Sequence, residues 1–296
     1  MNNATATVGP VLVGVEQGSH QQDVVRHAAQ QARLHHRPLH ILHVSRTAGT
    51  GEGGTAHETE ATVAARGASV VEPLTAMARA EYPDVTVTAE TVSGRPAEVL
   101  LDRSSKTTSL VLGHRGSGGF PRLPLGSVSW QVATHADCPV LVVRPHEAPS
   151  APARRVVAGV DVNDISEEAL DQAYIEAAAR EARLELVHAN LHLSELPTGP
   201  GMVAPDFKAL DESAHRLLEA AAAERHARFP AVRTDLRVER VRPSTLLREA
   251  SQRAALLVVG SHGRSGLRRL MLGSVSAETL HTAACPVLVV PSADRA

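Results

Sequence analysis

Gly113-His114-Arg115-Gly116, nine residues, then Gly126-Ser127-Val128-Ser129 is the segment that decides the fold, because it occurs twice. The second copy is Gly260-Ser261-His262-Gly263, nine residues, then Gly273-Ser274-Val275-Ser276. An apolar run precedes each copy, Leu110 to Leu112 in one and Ala255 to Val259 in the other. A strand that enters a glycine-rich turn and leaves it through a Ser-capped helix presents backbone N–H groups to phosphate. The pattern predicts two nucleotide-type modules in tandem.

Working outward, the two halves match along their length. Val11-Leu12-Val13-Gly14-Val15-Glu16 aligns with Val156-Val157-Ala158-Gly159-Val160-Asp161, and Leu39 to Val44 with Leu184 to Ala189, both at an offset of 145. Gly113, Gly126 and Cys138 align with Gly260, Gly273 and Cys285 at an offset of 147, so two net residues entered the middle of the second half. This is a duplication, with its boundary in the Pro/Ala-rich stretch His146 to Arg155. The domains are expected at 1–148 and 149–296.

Each half alternates strands and helices. In the first, strands are expected at 10–16, 39–45, 85–92, 109–113 and 139–143, and helices at 19–34, 58–82, 95–105 and 127–136. Gly94-Arg95-Pro96 reads as a turn with Pro near a helix start. In the second half, strands fall at 155–161, 184–190, 233–241, 255–260 and 286–290. Such alternation requires right-handed crossovers and a parallel sheet, so the fold class is α/β, doubly wound, twice. The long inserts Thr47 to His57 and Leu193 to Asp206 are either lids or tolerated connectors.

Composition narrows the function. Of 296 residues, 43% are hydrophobic but only 2% aromatic, so the core is built from Val, Leu, Ile and Ala, as buried parallel strands require. A formal charge of −2 and no basic stripe with interleaved aromatics argue against a nucleic-acid partner. Apolar runs are too short for a membrane span, and Met1 to Pro10 lacks the charge and apolar pattern of a leader, so a cytoplasmic protein with no membrane partner is expected. Cys138 and Cys285 read as small buried apolar residues. The 16 histidines are scattered, and no metal site is expected.

In an open α/β sheet, ligands bind at the carboxyl ends of the strands where strand order reverses. Three segments converge there in each half: Val15-Glu16 or Val160-Asp161, His43-Val44 or His188-Ala189, and the glycine motif. Gly113, Gly116, Gly260 and Gly263 are expected to allow positive φ and close approach of a ligand. The following helix N-terminus favours an anion, and Ser127, Ser129, Ser274 and Ser276 can add hydroxyl donors. Arg115 and Arg122 stand in the first turn, with Pro121 and Pro124, and Arg264, Arg268 and Arg269 in the second. They read equally as phosphate contacts or as a solvated basic loop.

The G-x-x-G-(nine)-G-S pattern, the openings VLVGVE and VVAGVD and the closing CPVLVV resemble the universal stress protein family, in its tandem, ATP-binding, actinobacterial-like form. The resemblance covers nearly the whole chain. It implies a Rossmann-like, five-stranded parallel sheet per domain, last strands that pair across a domain or subunit interface as in a homodimer, and ATP as ligand, with or without Mg2+. It places Asp161 at the base and ribose end, with Glu16 as a departure whose extra methylene moves the carboxylate by about 1.5 Å. Val44 matches the small apolar residue on the adenine, replaced by Ala189. Gly113, Gly116, Gly126, Ser127, Val128 and Ser129 match the ribose-triphosphate turn, as do Gly260, Gly263, Gly273, Ser274, Val275 and Ser276. Gly14, Val15, Gly159 and Val160 beside the acids, and His114, Arg115, Ser261, His262 and Arg264 within the turns, complete the ATP-binding set.

Neither turn has the Lys-Ser/Thr of a P-loop, no second acidic strand end is placed for magnesium, and no Ser–His–acid or Cys–His set recurs in both halves. The leading expectation is therefore a non-enzymatic, nucleotide-responsive stress or dormancy regulator with an unidentified protein partner. The alternatives are a slow ATPase or autophosphorylating phosphotransferase, and a scaffold whose nucleotide sites have degenerated. The second site, with Asp161, is expected to bind at least as tightly as the first.

Overall fold

The computed structural model describes residues 9–18, 20–45, 60–115, 125–144, 154–190, 206–261 and 271–292, without the side chains of 60–64. The chain divides into two compact units, Met1–Pro145 and His146–Ala296. In the first, the order is β1 (Val11–Val15), α1 (Gln21–Leu34), β2 (Leu39–Ser45), α2 (Glu60–Glu81), β3 (Val87–Ser93), α3 (Pro96–Ser104), β4 (Ser109–Gly113), α4 (Ser127–His135) and β5 (Val140–Val143). In the second it is β6 (Arg155–Gly159), α5 (Glu167–Ala179), β7 (Arg183–Ala189), α6 (Phe207–His226), β8 (Thr234–Glu239), α7 (Pro243–Ser251), β9 (Leu256–Gly260), α8 (Ser274–Thr282) and β10 (Val287–Val290).

Within the first unit the strands lie in the order β3-β2-β1-β4-β5, all parallel. The second repeats this as β8-β7-β6-β9-β10. In each, the chain moves outward from its first strand and then returns to that strand's other side. The first and fourth strands thus frame the crevice where order reverses.

The registers match as well. Val11 pairs with Leu39 and Val156 with Leu184, 145 residues on in both members. Leu39 then pairs with Val87 but Leu184 with Thr234, 147 on, which locates the two extra residues between β7 and β8.

Strands β1, β4, β5, β6, β9 and β10 are largely buried Val and Leu, whereas β3 and β8 are polar and mostly half-buried or exposed, and α1 and α5 bury alanines, Ala28, Ala29 and Ala32 in one, Ala169, Ala173 and Ala177 in the other. Small residues let a helix lie close to a sheet covered on both faces. Pro96 and Pro243 open α3 and α7 at the position where a missing N–H costs least. Gly14 and Gly159 serve packing: a Cβ there would stand 2.7 Å from Leu112 Cδ2 and 3.0 Å from Leu247 Cδ2.

The units diverge in their charges. Arg26 of α1 donates to Glu81 of α2 (Nε–Oε2 2.9 Å), whereas the equivalent Asp171 of α5 accepts from Arg228, just beyond the end of α6 (Oδ2–Nη1 2.6 Å). The buried Gln31 meets His35 (2.9 Å), whereas its counterpart Glu176, fully buried, is paired with Arg180 and accepts from Gln172 (3.0 Å).

Candidate functional site

At the carboxyl ends of β6, β7 and β9 the second unit encloses a cavity of about 370 Å3, within the range of small-molecule sites. Gly159, Val160 and Asp161 line it from β6, His188 and Ala189 from β7, and Gly260 from β9. Gly273 to Ser276 close one side, while Ser166, Ala169 and Leu170 face it from α5. Asp161 holds its place through Oδ1, which accepts from the Asn163 N–H (3.1 Å) and Nδ2 (3.3 Å).

The glycine turn is fastened at both ends by backbone bonds. Ser261 N–H donates to Val290 (2.8 Å), and Gly273 N–H returns to the Ser261 carbonyl (2.9 Å). The first bond of α8 runs from Ala277 N–H to Gly273, so the N–H groups of Ser274, Val275 and Ser276 stay outside the helical ladder at the cavity wall. The first unit repeats the arrangement with His114 to Val143 (2.7 Å), Gly126 to His114 (2.7 Å) and Trp130 to Gly126 (2.9 Å).

The serines depart from expectation. The N-caps of α4 and α8 are Gly126 and Gly273, with no side-chain cap. The second serine of each motif is spent inside the protein: Ser129 Oγ donates to the Gly113 carbonyl (2.7 Å) and Ser276 Oγ to that of Gly260 (2.6 Å). A buried hydroxyl must find a partner, and the end of the adjacent strand supplies one. Only Ser127 and Ser274 are exposed.

The glycines also serve another purpose. Gly113 and Gly260 are the last residues of β4 and β9 and do not take positive φ. At Gly113 the missing Cβ admits Val24, whose Cγ2 would stand 3.3 Å from it. Gly116, Pro121, Arg122, Pro124, His262, Gly263, Arg264, Arg268 and Arg269 lie outside the described residues, as does most of the two inserts.

At the aligned positions the first unit carries mostly larger residues. Val13, Glu16, Gln21, Val24, Leu42, Val44 and Leu112 stand where Ala158, Asp161, Ser166, Ala169, Val187, Ala189 and Val259 line the cavity. Only Val25 and Val99, for Leu170 and Leu246, go the other way among these apolar positions. Gln21 reaches back so that its Oε1 accepts the Glu16 N–H (3.3 Å). Its counterpart Ser166 instead caps α5, accepting from Ala169 N–H (3.2 Å).

One pair of residues that the sequence names only as part of converging strand ends has a positioning role in the structure. His43 and His188 are buried, and the Nδ1 of each lies 2.9 Å from a first-strand carbonyl, that of Val15 or Val160. A carbonyl only accepts, so Nδ1 carries the proton and the tautomer is set. Their identity at one offset, on the strand end that lines the site, was the available signal.

Burial first, then the charges of Arg144, Arg115 and His20, push His114 down to about 4. Burial pushes the Cys138 thiol up to about 12, which leaves it unreactive. Among the described residues no three His, Cys, Asp or Glu side chains gather as metal ligands, and no helix is long and apolar enough to cross a membrane.

Comparison with known proteins agrees with this architecture. The model of the Universal stress protein family matches twice, over residues 7–144 and 152–291. A universal stress protein of Mycolicibacterium smegmatis is 32% identical over 293 residues, spanning 97% of this chain and 98% of that protein. One from Mycobacterium tuberculosis is 32% identical over 302 residues, spanning 98% of each. The crystal structure of a universal stress protein from Archaeoglobus fulgidus shares the fold, with a TM-score of 0.69 at 16% identity over 98% of this chain and 99% of that one. With both halves matched and relatives aligned end to end, the chain belongs to the universal stress protein family, as a tandem member.

Proposed function

We propose that the cavity of the second unit binds ATP, and that the chain is a nucleotide-responsive stress or dormancy regulator whose occupancy is read by a protein partner. The observation that carries this reading is that one cavity joins Asp161 and Ala189 to the unladdered N–H groups of Ser274 to Ser276. The apolar surface of Val160 and Ala189 suits a purine, and the Asp161 carboxylate accepts from ribose hydroxyls. The first turn of α8 offers donors and a positive dipole end to phosphate. These groups bind and orient; none is a base or nucleophile paired for turnover.

The test is the nucleotide released when the purified protein is denatured, identified by chromatography, followed by titration of emptied protein with ATP, with and without Mg2+. About one ATP per chain supports the reading. No released nucleotide and no heat on titration overturn it. A second reading rests on Ser274, whose exposed hydroxyl lines the cavity: ADP accumulating together with a phosphorylated Ser274 in mass spectra would make the protein an autophosphorylating one. Light scattering with and without ATP tests the homodimer that the family resemblance implies.

A further inference from the structure

We infer that the second unit carries a self-association surface, formed by the open edge of β8 and the flank of α6 beside it, and that its partner is a second copy of this chain in antiparallel, two-fold contact. β8 pairs with β7 on one side and with no described strand on the other. The bonds from Leu184 N–H to Arg233 and from Asn190 N–H to Glu239 show which residues serve β7: Arg233, Asp235, Arg237 and Glu239. In a parallel ladder the alternate residues point their N–H and C=O groups the other way, so Thr234, Leu236 and Val238 present theirs at the open edge. Such an edge is a template for another strand.

The charges select the occupant. The start of β8 is basic, with Arg183 3.7 Å from Asp235 and Arg233 just before the strand, and its end is acidic, with Glu239 and Glu249 both bonded to Arg237. Antiparallel contact with a second copy sets each basic end against an acidic one. With Leu236 on the two-fold axis, Asp235 falls opposite the Arg237 of the other copy and Arg233 opposite its Glu239. The neighbouring registers repel. Placing Arg237 on the axis sets it against itself and Asp235 against Glu239, while placing Asp235 there opposes two aspartates and sets Arg233 against Arg237.

The helix obeys the same symmetry. Asp211, Glu212, His215 and Arg216 border an open groove of about 610 Å3 whose other wall is Leu236 to Glu239 of β8. A two-fold axis normal to the sheet puts both α6 helices on one face, side by side and antiparallel. Reversed about the midpoint of those four residues, α6 sets Asp211 opposite Arg216, Glu212 opposite His215 and Lys208 opposite Glu219. The Lys208 and Glu219 side chains are 85% and 59% exposed, free to reach across. The first unit has neither pattern: the equivalents of Arg233, Asp235, Arg237 and Glu239 are Thr86, Thr88, Glu90 and Val92, and those of Glu212, His215 and Arg216 are Ala65, Ala68 and Ser69.

The experiment measures self-association of the full chain by sedimentation equilibrium at low and high salt. A salt-weakened association is expected. Lys208→Glu and Glu219→Lys should each weaken it about tenfold, since every pair counts twice in a two-fold contact, and the double variant K208E/E219K should restore it. Leu236→Cys gives an independent readout: oxidised glutathione should join two copies through that position, because the native Cys138 and Cys285 are buried. Ala89→Cys, the equivalent position of β3, should stay uncrosslinked. Melting curves establish that each variant is folded, and the charge variants, being at exposed positions, test the surface even where Leu236→Cys is not. A monomer at every concentration, an association that neither single charge variant changes, or a double variant no better than the single ones overturns the inference. So does a folded Leu236→Cys that crosslinks no more than Ala89→Cys, which would move any dimer to another face.

Discussion

The hydroxyl of Ser276 donates to the carbonyl oxygen of Gly260 over 2.6 Å, tying the first turn of α8 to the end of β9. The two lips of the glycine turn are thereby held together beneath the cavity. Ser276→Ala removes the hydrogen bond of a buried hydroxyl, and should cost the second unit about 1 kcal/mol. Ser274→Ala, two residues earlier on the exposed face, should move stability by about 0.5 kcal/mol or less. Urea melts of both variants check the contrast, and equal losses would refute the latch.

Val24 of α1 occupies the position of Ala169, which lines the cavity of the second unit. Ala169→Val should fill part of the cavity and lower ATP affinity in the second unit, with a stability change set by overpacking of about 1–3 kcal/mol. Val24→Ala should cost about 1–3 kcal/mol through a cavity beside Gly113. Combined with Gln21→Ser it should open the first unit to a second equivalent of ATP. Stoichiometry from calorimetry gives the answer, and Ala169→Val binding ATP as the parent does would remove steric selection from the account.

Buried Glu176 depends on Arg180. Arg180→Ala strands a carboxylate away from water, and a loss of about 3–5 kcal/mol is expected. Glu176→Gln makes the position as neutral as Gln31 in the other unit, and should be far better tolerated, since an amide needs no counter-charge. Thermal unfolding of the pair decides this, with comparable losses arguing that packing rather than charge governs the site.

His114 should weaken the protein on its acid side. The folded state holds its proton affinity near 4, below the 6.5 of an unperturbed imidazole. Between those values the unfolded chain binds the proton and the folded chain does not, so stability falls as pH drops through that window. His114→Ser should therefore raise Tm at pH 5 relative to the parent while leaving the difference at pH 8 smaller. A Tm difference independent of pH would exclude this titration as the cause.

Strand and helix periods, the repeated glycine motif and the Pro-led helices α3 and α7 were legible in the sequence because each is a local signal. Their expected bounds lie within a few residues of those of β1 to β10 where they can be compared. The roles of the serines were not legible. Whether Ser129 donates to a ligand or to Gly113 depends on how close the end of β4 comes to α4, which is a tertiary distance. The inequality of the crevices was present in the aligned halves, at Val24 and Ala169 or Gln21 and Ser166. It became readable only once α5 was seen to face the site. His43 and His188 were hidden for a related reason, since nothing local fixes which carbonyl an imidazole meets.

The reversed ion pairs between helices have a consequence for how a duplicated chain folds. Two similar halves on one ribosome-fresh polypeptide invite exchange of equivalent helices, a characteristic failure of tandem proteins. Here, α1 laid against α6 and the turn that follows it would set Arg26 beside Arg225 and Arg228, and α2 laid against α5 would set Glu81 beside Asp171. Each wrong partnership meets repulsion where the right one meets attraction, so the polarity of a single surface contact helps each half to recognise its own helices.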